Sequence, residues 1–261
     1  MKSPVLFPAK PGLPVVAVLA LLALAGCETT YLPVSDPGLD YFPLEAGTYR
    51  IYNVTDSMYN RSILQPVMRY QIRESIASTD GFTDAAGNRS YRVVRSKRVP
   101  AVSMTWQPDS VYVLSGNAQT VTLVKDNRRT VELVFPVLEG NTWNMHAYNN
   151  NGGDTISSVN RRSQALGQPF STTTTTVGTS TPITMSYPQT VTVDDTGDEY
   201  TANNECELRS YRQVFAKGVG PVLRYRRSFS FADPSMGICN RSAGRTYFGN
   251  SRTEVLVEYG R

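Results

Sequence analysis

Cys206 and Cys239 are the first residues whose type could do chemistry. A thiolate can attack a carbonyl or bind a metal, but both roles need a neighbouring base or further ligands, and the chain holds one histidine, His146. In an oxidising compartment two such cysteines join instead, and the loop they close stabilises the fold by about 3 to 4 kcal/mol. His146 stands beside Trp143 and Met145 on an expected strand. With no Gly-x-Ser-x-Gly elbow in the chain, it reads as a structural or surface histidine. Glycoside hydrolysis would need only two carboxylates about 5 to 10 Å apart, a separation that sequence does not set. Asp194, Asp195, Asp198 and Glu199 surround Gly197 with hard oxygen donors suited to calcium. Their spacing is not that of an EF-hand loop, and a solvated turn between strands accounts for them. No catalytic residue, metal or cofactor is expected.

Arg227 is different in kind. Leu223, Tyr225, Phe229 and Phe231 fall on one face of a strand, with Arg227 on that same face between them. A guanidinium directed into an apolar interior must be paired or solvated. If the interior is a cavity, Arg227, with Tyr225 beside it, is the candidate contact for an anionic headgroup. An internal ion pair, or a bulge turning Arg227 outward, is the alternative.

The N-terminus carries another chemistry. Lys2 and Lys10 precede an apolar run from Leu13 to Ala25, too short to span a bilayer. The run ends in Leu24-Ala25-Gly26-Cys27, which resembles the lipobox of bacterial lipoproteins. Small residues admit a signal peptidase, and the Cys27 thiol takes a thioether-linked diacylglycerol. Two or three acyl chains, at about 0.8 kcal/mol per buried methylene, anchor a protein without a transmembrane helix. Residues 1–26 are therefore expected to be a signal peptide and residues 27–40 a lipidated tether, kept extended by Pro33 and Pro37. A single β-rich domain is expected over residues 41–261.

Net charge is +4, and removing Lys2 and Lys10 leaves 4 − 2 = +2, without the basic face of a nucleic-acid binder. Nucleic acid is not an expected partner. Short alternating runs fill the chain: Met68, Tyr70 and Ile72 against Arg69, Gln71 and Arg73; Val131, Leu133 and Phe135 against Thr130, Glu132 and Val134; Val255, Val257 and Tyr259 against Glu254, Leu256 and Glu258. Turn pairs such as Asp80-Gly81 and Asp126-Asn127 separate them. The expected fold is all-β, an antiparallel barrel or half-barrel of many short strands, with a sandwich as the alternative. Residues 149–154 and the threonine-dominated residues 171–182 read as exposed loops, the second also as an edge strand. Phe42-Pro43-Leu44, followed by Gly47 and Tyr49, is echoed by Phe135-Pro136-Val137, followed by Gly140 and Trp143.

Three segments, YFPLEAGTYRIY from Tyr41, VFPVLEGNTWNMHAYN from Val134 and VFAKGVGPVLR from Val214, together resemble a group of uncharacterised lipoproteins common in Bacteroidetes-type bacteria. That resemblance implies an envelope location and a β-rich domain, and supplies no catalytic residue. Asp56-Ser57-Met58, Asp109-Ser110-Val111 and Asp154-Thr155-Ile156 look like the O-glycosylation acceptors of those bacteria.

The expected function is that of a lipid-anchored envelope module, at the outer membrane and with either face open as its location. It would bind a small apolar or anionic ligand, or contact other envelope components, without catalysis. A surface adhesin or glycan-binding protein is the alternative, and an envelope hydrolase ranks third.

Overall fold

Alternation of period two is realised as twelve principal strands: β1 (Tyr49–Asn60), β2 (Met68–Ile76), β3 (Arg89–Arg98), β4 (Gln107–Gly116), β5 (Thr120–Lys125), β6 (Arg128–Val134), β7 (Thr142–Asn144), β8 (Asn160–Thr175), β9 (Pro182–Asp195), β10 (Glu207–Ala216), β11 (Gly220–Ser230) and β12 (Phe248–Gly260). The computed structural model describes residues 36–78, 81–84, 87–149, 159–195, 204–233, 237–239, 241 and 245–261. The expected export signal and Cys27 lie outside the described residues, as do Asp198, Glu199 and Thr155.

All neighbours in the main sheet are antiparallel, in the order β6-β5-β4-β3-β2-β1-β12-β11-β10-β9-β8-β7. The chain thus makes two six-strand meanders, joined where β1 pairs with β12, Tyr49 opposite Gly260. The two Phe-Pro segments stand just before these two runs, and Gly47 and Gly140 both adopt left-handed backbone, φ 84° and 77°. The remaining edges, β6 and β7, meet through a few bonds outside the regular ladder. The Val131 amide donates to Met145 O at 2.8 Å, and the Trp143 indole N–H donates to Val131 O at 3.1 Å. The Asn149 carboxamide mimics a strand amide: its Nδ2 donates to Arg129 O at 2.7 Å, and its Oδ1 accepts the Arg129 N–H at 3.0 Å. These bonds bring the sheet almost to closure as a barrel, which removes the hazard of long unpaired edges.

One end of the barrel is plugged. Residues 36–42, read from the sequence as the end of the tether and the start of the domain, pass through a 3-10 turn (Leu39–Tyr41) and bury Tyr41 and Phe42. Phe42 packs against Phe215 with ring centroids 5.5 Å apart, within a cluster that includes Leu133, Phe135, Val137, Val191 and Val193. The backbone of this segment bonds the barrel rim: the Gly218 amide donates to Asp40 O at 2.8 Å, and the Val137 amide to Pro37 O at 3.0 Å. Lys217 Nζ reaches Asp36 Oδ2 at 2.6 Å. Asp36–Arg261 is accordingly one compact unit, whose buried core comes from within it.

Of the threonine-dominated residues 171–182, residues 171–175 are strand, in line with the edge-strand alternative, and residues 176–181 make the connection to β9. β8 and β9 bend where Ala165 and Gly167 have φ of 54° and 74°, with register shifts between Gln164 and Phe170. Beyond the bend the hairpin lies over the outer wall as an arm. Alternation separates its faces. Ser171 and Thr173 pair with Ser186 and Thr184 on the exposed side, through hydroxyl contacts of 3.0 and 2.9 Å. Phe170, Met185 and Tyr187 pack with Val214, Ala216 and Leu223. At the tip, Asn53 Nδ2 donates to the Thr176 hydroxyl at 3.1 Å, and Asn53 Oδ1 accepts from Gln71 Nε2 at 2.9 Å. Asn53 and Gln71 are buried on the outside of the wall by this arm.

Candidate functional site

The half of the barrel beyond the Phe42 plug is not filled. A cavity of about 720 Å³ is lined by residues from ten of the twelve strands, with Phe42 as its floor. Residues from so many strands share one space only if it is the barrel lumen, and its size lies in the range of small-molecule sites, about 300 to 1,000 Å³. The lining is charged: eight arginine or lysine residues against five aspartates or glutamates. That balance suits an anion better than a cation or a hydrocarbon.

Register explains how the charges come together. Glu74 of β2 lies opposite Arg95 of β3, and Arg224 of β11 opposite Glu254 of β12, all directed inward. Arg224 holds Glu74 with two bonds, 2.7 and 3.1 Å, and reaches Glu254 at 3.0 Å. Arg95 bonds Glu254 at 3.1 Å, and Arg252 Nε bonds it at 2.7 Å. Arg252 also approaches Asp56, at 3.8 Å. Burial alone would raise the pKa of both glutamates, but Arg224 and Arg95 outweigh it, joined at Glu254 by Arg252. The Glu254 carboxyl is held at about 2. Elsewhere on the wall Arg161 Nε lies 3.0 Å from Asp195 Oδ1 without hydrogen-bond alignment, and the guanidinium sits over the Tyr211 ring, 3.2 Å from its centroid.

Arg226 stands apart. It faces Arg252 directly across the β11–β12 ladder and Tyr211 across the β10–β11 ladder. Unlike Arg252, it makes no ion pair or hydrogen bond with a described residue, and its side chain is exposed. Like charges directly opposite each other destabilise a sheet. An anion between Arg226 and Arg252 removes that repulsion.

The residues singled out from the sequence fall as follows. Tyr225, Arg227 and Phe229 do share a face, but it is the outer one, alternate to Arg224 and Arg226. The Arg227 guanidinium lies 5.9 Å from the Tyr225 ring centroid and 5.6 Å from that of Phe229, with its Nε buried and unbonded. Both Tyr225 and Arg227 border the cavity and also a second cleft, shared with Asp194, Leu208, Ser210 and Arg241. Cys206 and Cys239 form a disulfide with Cα atoms 4.6 Å apart, clasping the β9–β10 and β11–β12 connections. Asp194 and Asp195 point to opposite faces, Asp194 to Arg212 at 2.9 Å and Asp195 to Arg161, and so do not converge on one ion. His146 sits in the loop after β7, its Nδ1 3.1 Å from Asn149 Nδ2. Burial, with Arg161 and Arg128 nearby, lowers its pKa. The Ser57 hydroxyl is engaged with Ser251 at 2.8 Å, and Ser110 lines the cavity.

Sequence reasoning missed Glu74, Arg95, Arg224, Arg226 and Glu254. The one visible signal was the Arg224-Tyr225-Arg226-Arg227 run, in which alternation sends Arg224 and Arg226 to one face and Arg227, with Tyr225, to the other. Comparison with known proteins adds no assignment: no family model, curated protein or solved structure matches the chain.

Proposed function

We propose that this chain is a lipid-anchored protein of the bacterial envelope, a non-catalytic module that holds a small anionic ligand in its barrel lumen. The single observation that carries the ligand reading is Arg226, unpaired on the inner wall and directly opposite Arg252. The neighbouring Arg224 and Arg252 are already committed to Glu74 and Glu254, which fixes their positions and leaves Arg226 to meet the ligand. The envelope reading is supported by the Leu-Ala-Gly-Cys run ending at Cys27 and by the Cys206–Cys239 disulfide, a bond that persists in oxidising compartments. The lining disfavours the apolar ligand that sequence alone left open, since few hydrocarbon surfaces would repay the desolvation of so many charges.

One experiment addresses both halves. The full chain, produced in a related envelope-bearing host and extracted in mild detergent, is examined by native mass spectrometry. The expected protein mass lacks residues 1–26 and includes lipid on Cys27, with a noncovalent adduct that leaves on denaturation. Arg226→Ala is expected to weaken that adduct by roughly tenfold to a hundredfold, the worth of a charge-assisted bond, while Arg227→Ala leaves it bound. A bare lumen in the wild type would end the ligand reading, and an unlipidated Cys27 the anchor reading.

A further inference from the structure

The unplugged end of the barrel has a surface that the lumen does not use. Strand direction places the β1–β2 turn and the β3–β4 loop there, at the end opposite residues 36–42. On these two connections and the strand ends beside them Met58, Ile63, Leu64, Met68, Val102 and Met104 stand out into solvent, Ile63 65% and Val102 84% exposed. β2 and β3 are hydrogen-bonded neighbours, so the two sets are adjacent and form one apolar lip on the rim. Ile238, on the β11–β12 connection, and Phe248, which opens β12 opposite Asn60 of β1, extend it. Exposed apolar side chains gathered this way mark a contact surface, not the scatter of single residues found on any protein.

Charge identifies the occupant. Residues 57–73 and 96–108 contain no aspartate or glutamate, while Arg61, Arg69 and Arg98 lie among the apolar residues. Tyr59 and Trp106 flank them, Trp106 under the Arg98 guanidinium at 4.2 Å. Protruding aliphatic side chains, arginines and interfacial aromatics without acids are the composition that inserts shallowly into an anionic bilayer surface. We infer that the lip docks the open end of the barrel onto an anionic lipid surface. This surface is separate from the lumen and does not depend on what the lumen holds.

The test is co-sedimentation of the Asp36–Arg261 unit with phosphatidylcholine vesicles, with and without phosphatidylglycerol. Binding is expected only with phosphatidylglycerol, and salt is expected to weaken it. Val102→Asp and Ile63→Asp, on different connections, are each expected to weaken it by about tenfold or more. Both side chains point into water, so thermal melting and lumen binding should be unchanged, and failure of the lumen reading leaves this result standing. The inference is overturned if the wild type stays in the supernatant, if it binds neutral vesicles equally well, or if the aspartate variants bind like the wild type. It is also overturned if sedimentation shows a lip-dependent dimer that ignores vesicles, since the lip is then a protein contact.

Discussion

At the scale of single residues, the ion cluster of the inner wall is the part of the site most open to measurement. Glu254 receives Arg95, Arg224 and Arg252 and is itself buried. Removing one member of a buried ionic group leaves the others uncompensated, which costs about 3 to 5 kcal/mol. Glu254→Gln is therefore expected to lower unfolding free energy at neutral pH by about that amount, read from urea melts. The pH dependence has a definite sign. Glu254 has its pKa lowered from an ordinary 4.5 to about 2 in the folded chain. A carboxylate lowered on folding contributes stability that is complete above its ordinary value and is lost as pH falls through the folded value. Wild-type stability should thus decline between pH 4.5 and 2, and the Glu254→Gln curve should be flatter there. Parallel curves for the two proteins across that window would show that Glu254 is not held by the arginines.

At the scale of elements, alternation in the sequence was a good guide to strands and a poor guide to faces. Val255, Val257 and Tyr259 looked like the core row of the last strand, yet the inner row is Glu254 and Leu256, and Tyr259 is 47% exposed. The reason is physical. A polar lumen puts charged residues inside, and an arm over the outer wall buries residues such as Gln71 outside, so neither face keeps the usual apolar signature. The same inversion places Arg226, and not Arg227, in the row of Arg224 and Glu254, while Arg227 and Tyr225 border the cavity as well. The disulfide was legible because two cysteines, in a chain with one histidine, have few alternatives to pairing. The arm was not, because threonines suit both loops and strands, and nothing local specifies the fold-back on Asn53 and Gln71. Its seating rests on a small contact that can be tested. Gly178 at the tip has φ of 87°, and a Cβ built there would lie 3.2 Å from Ala101 Cα. Gly178→Val should lift the tip, with faster thermolysin cleavage near Val177 and Ile183, while the barrel's melting temperature falls little. Cleavage at the wild-type rate would mean that the tip contact does not hold the arm.

At the scale of the whole molecule, closure depends on the two ends of the chain meeting. β1 and β12 are neighbours over their whole length, yet Tyr49 and Gly260 are separated by almost the entire domain. Every other neighbouring pair in the main sheet is consecutive in sequence. Long-range pairing is slow because chain entropy is lost before the contacts are gained, with a closure term that grows as the logarithm of loop length. The structure offers a way to remove that one term. Joining Arg261 to Asp36 through a short Gly-Ser linker and opening the chain between Leu138 and Glu139, both exposed, makes β1 and β12 consecutive. The new break falls at the β6–β7 seam, which is held by a few bonds and not by a full ladder. The plug at residues 36–42 remains beside its partners on the rim. The permuted chain should fold faster in stopped-flow experiments, with its unfolding rate raised only by loosening at the seam. A permutant that folds no faster would place the rate-limiting step in the local hairpins, and one that unfolds much faster would show that the seam, not the β1–β12 ladder, is what keeps the barrel shut.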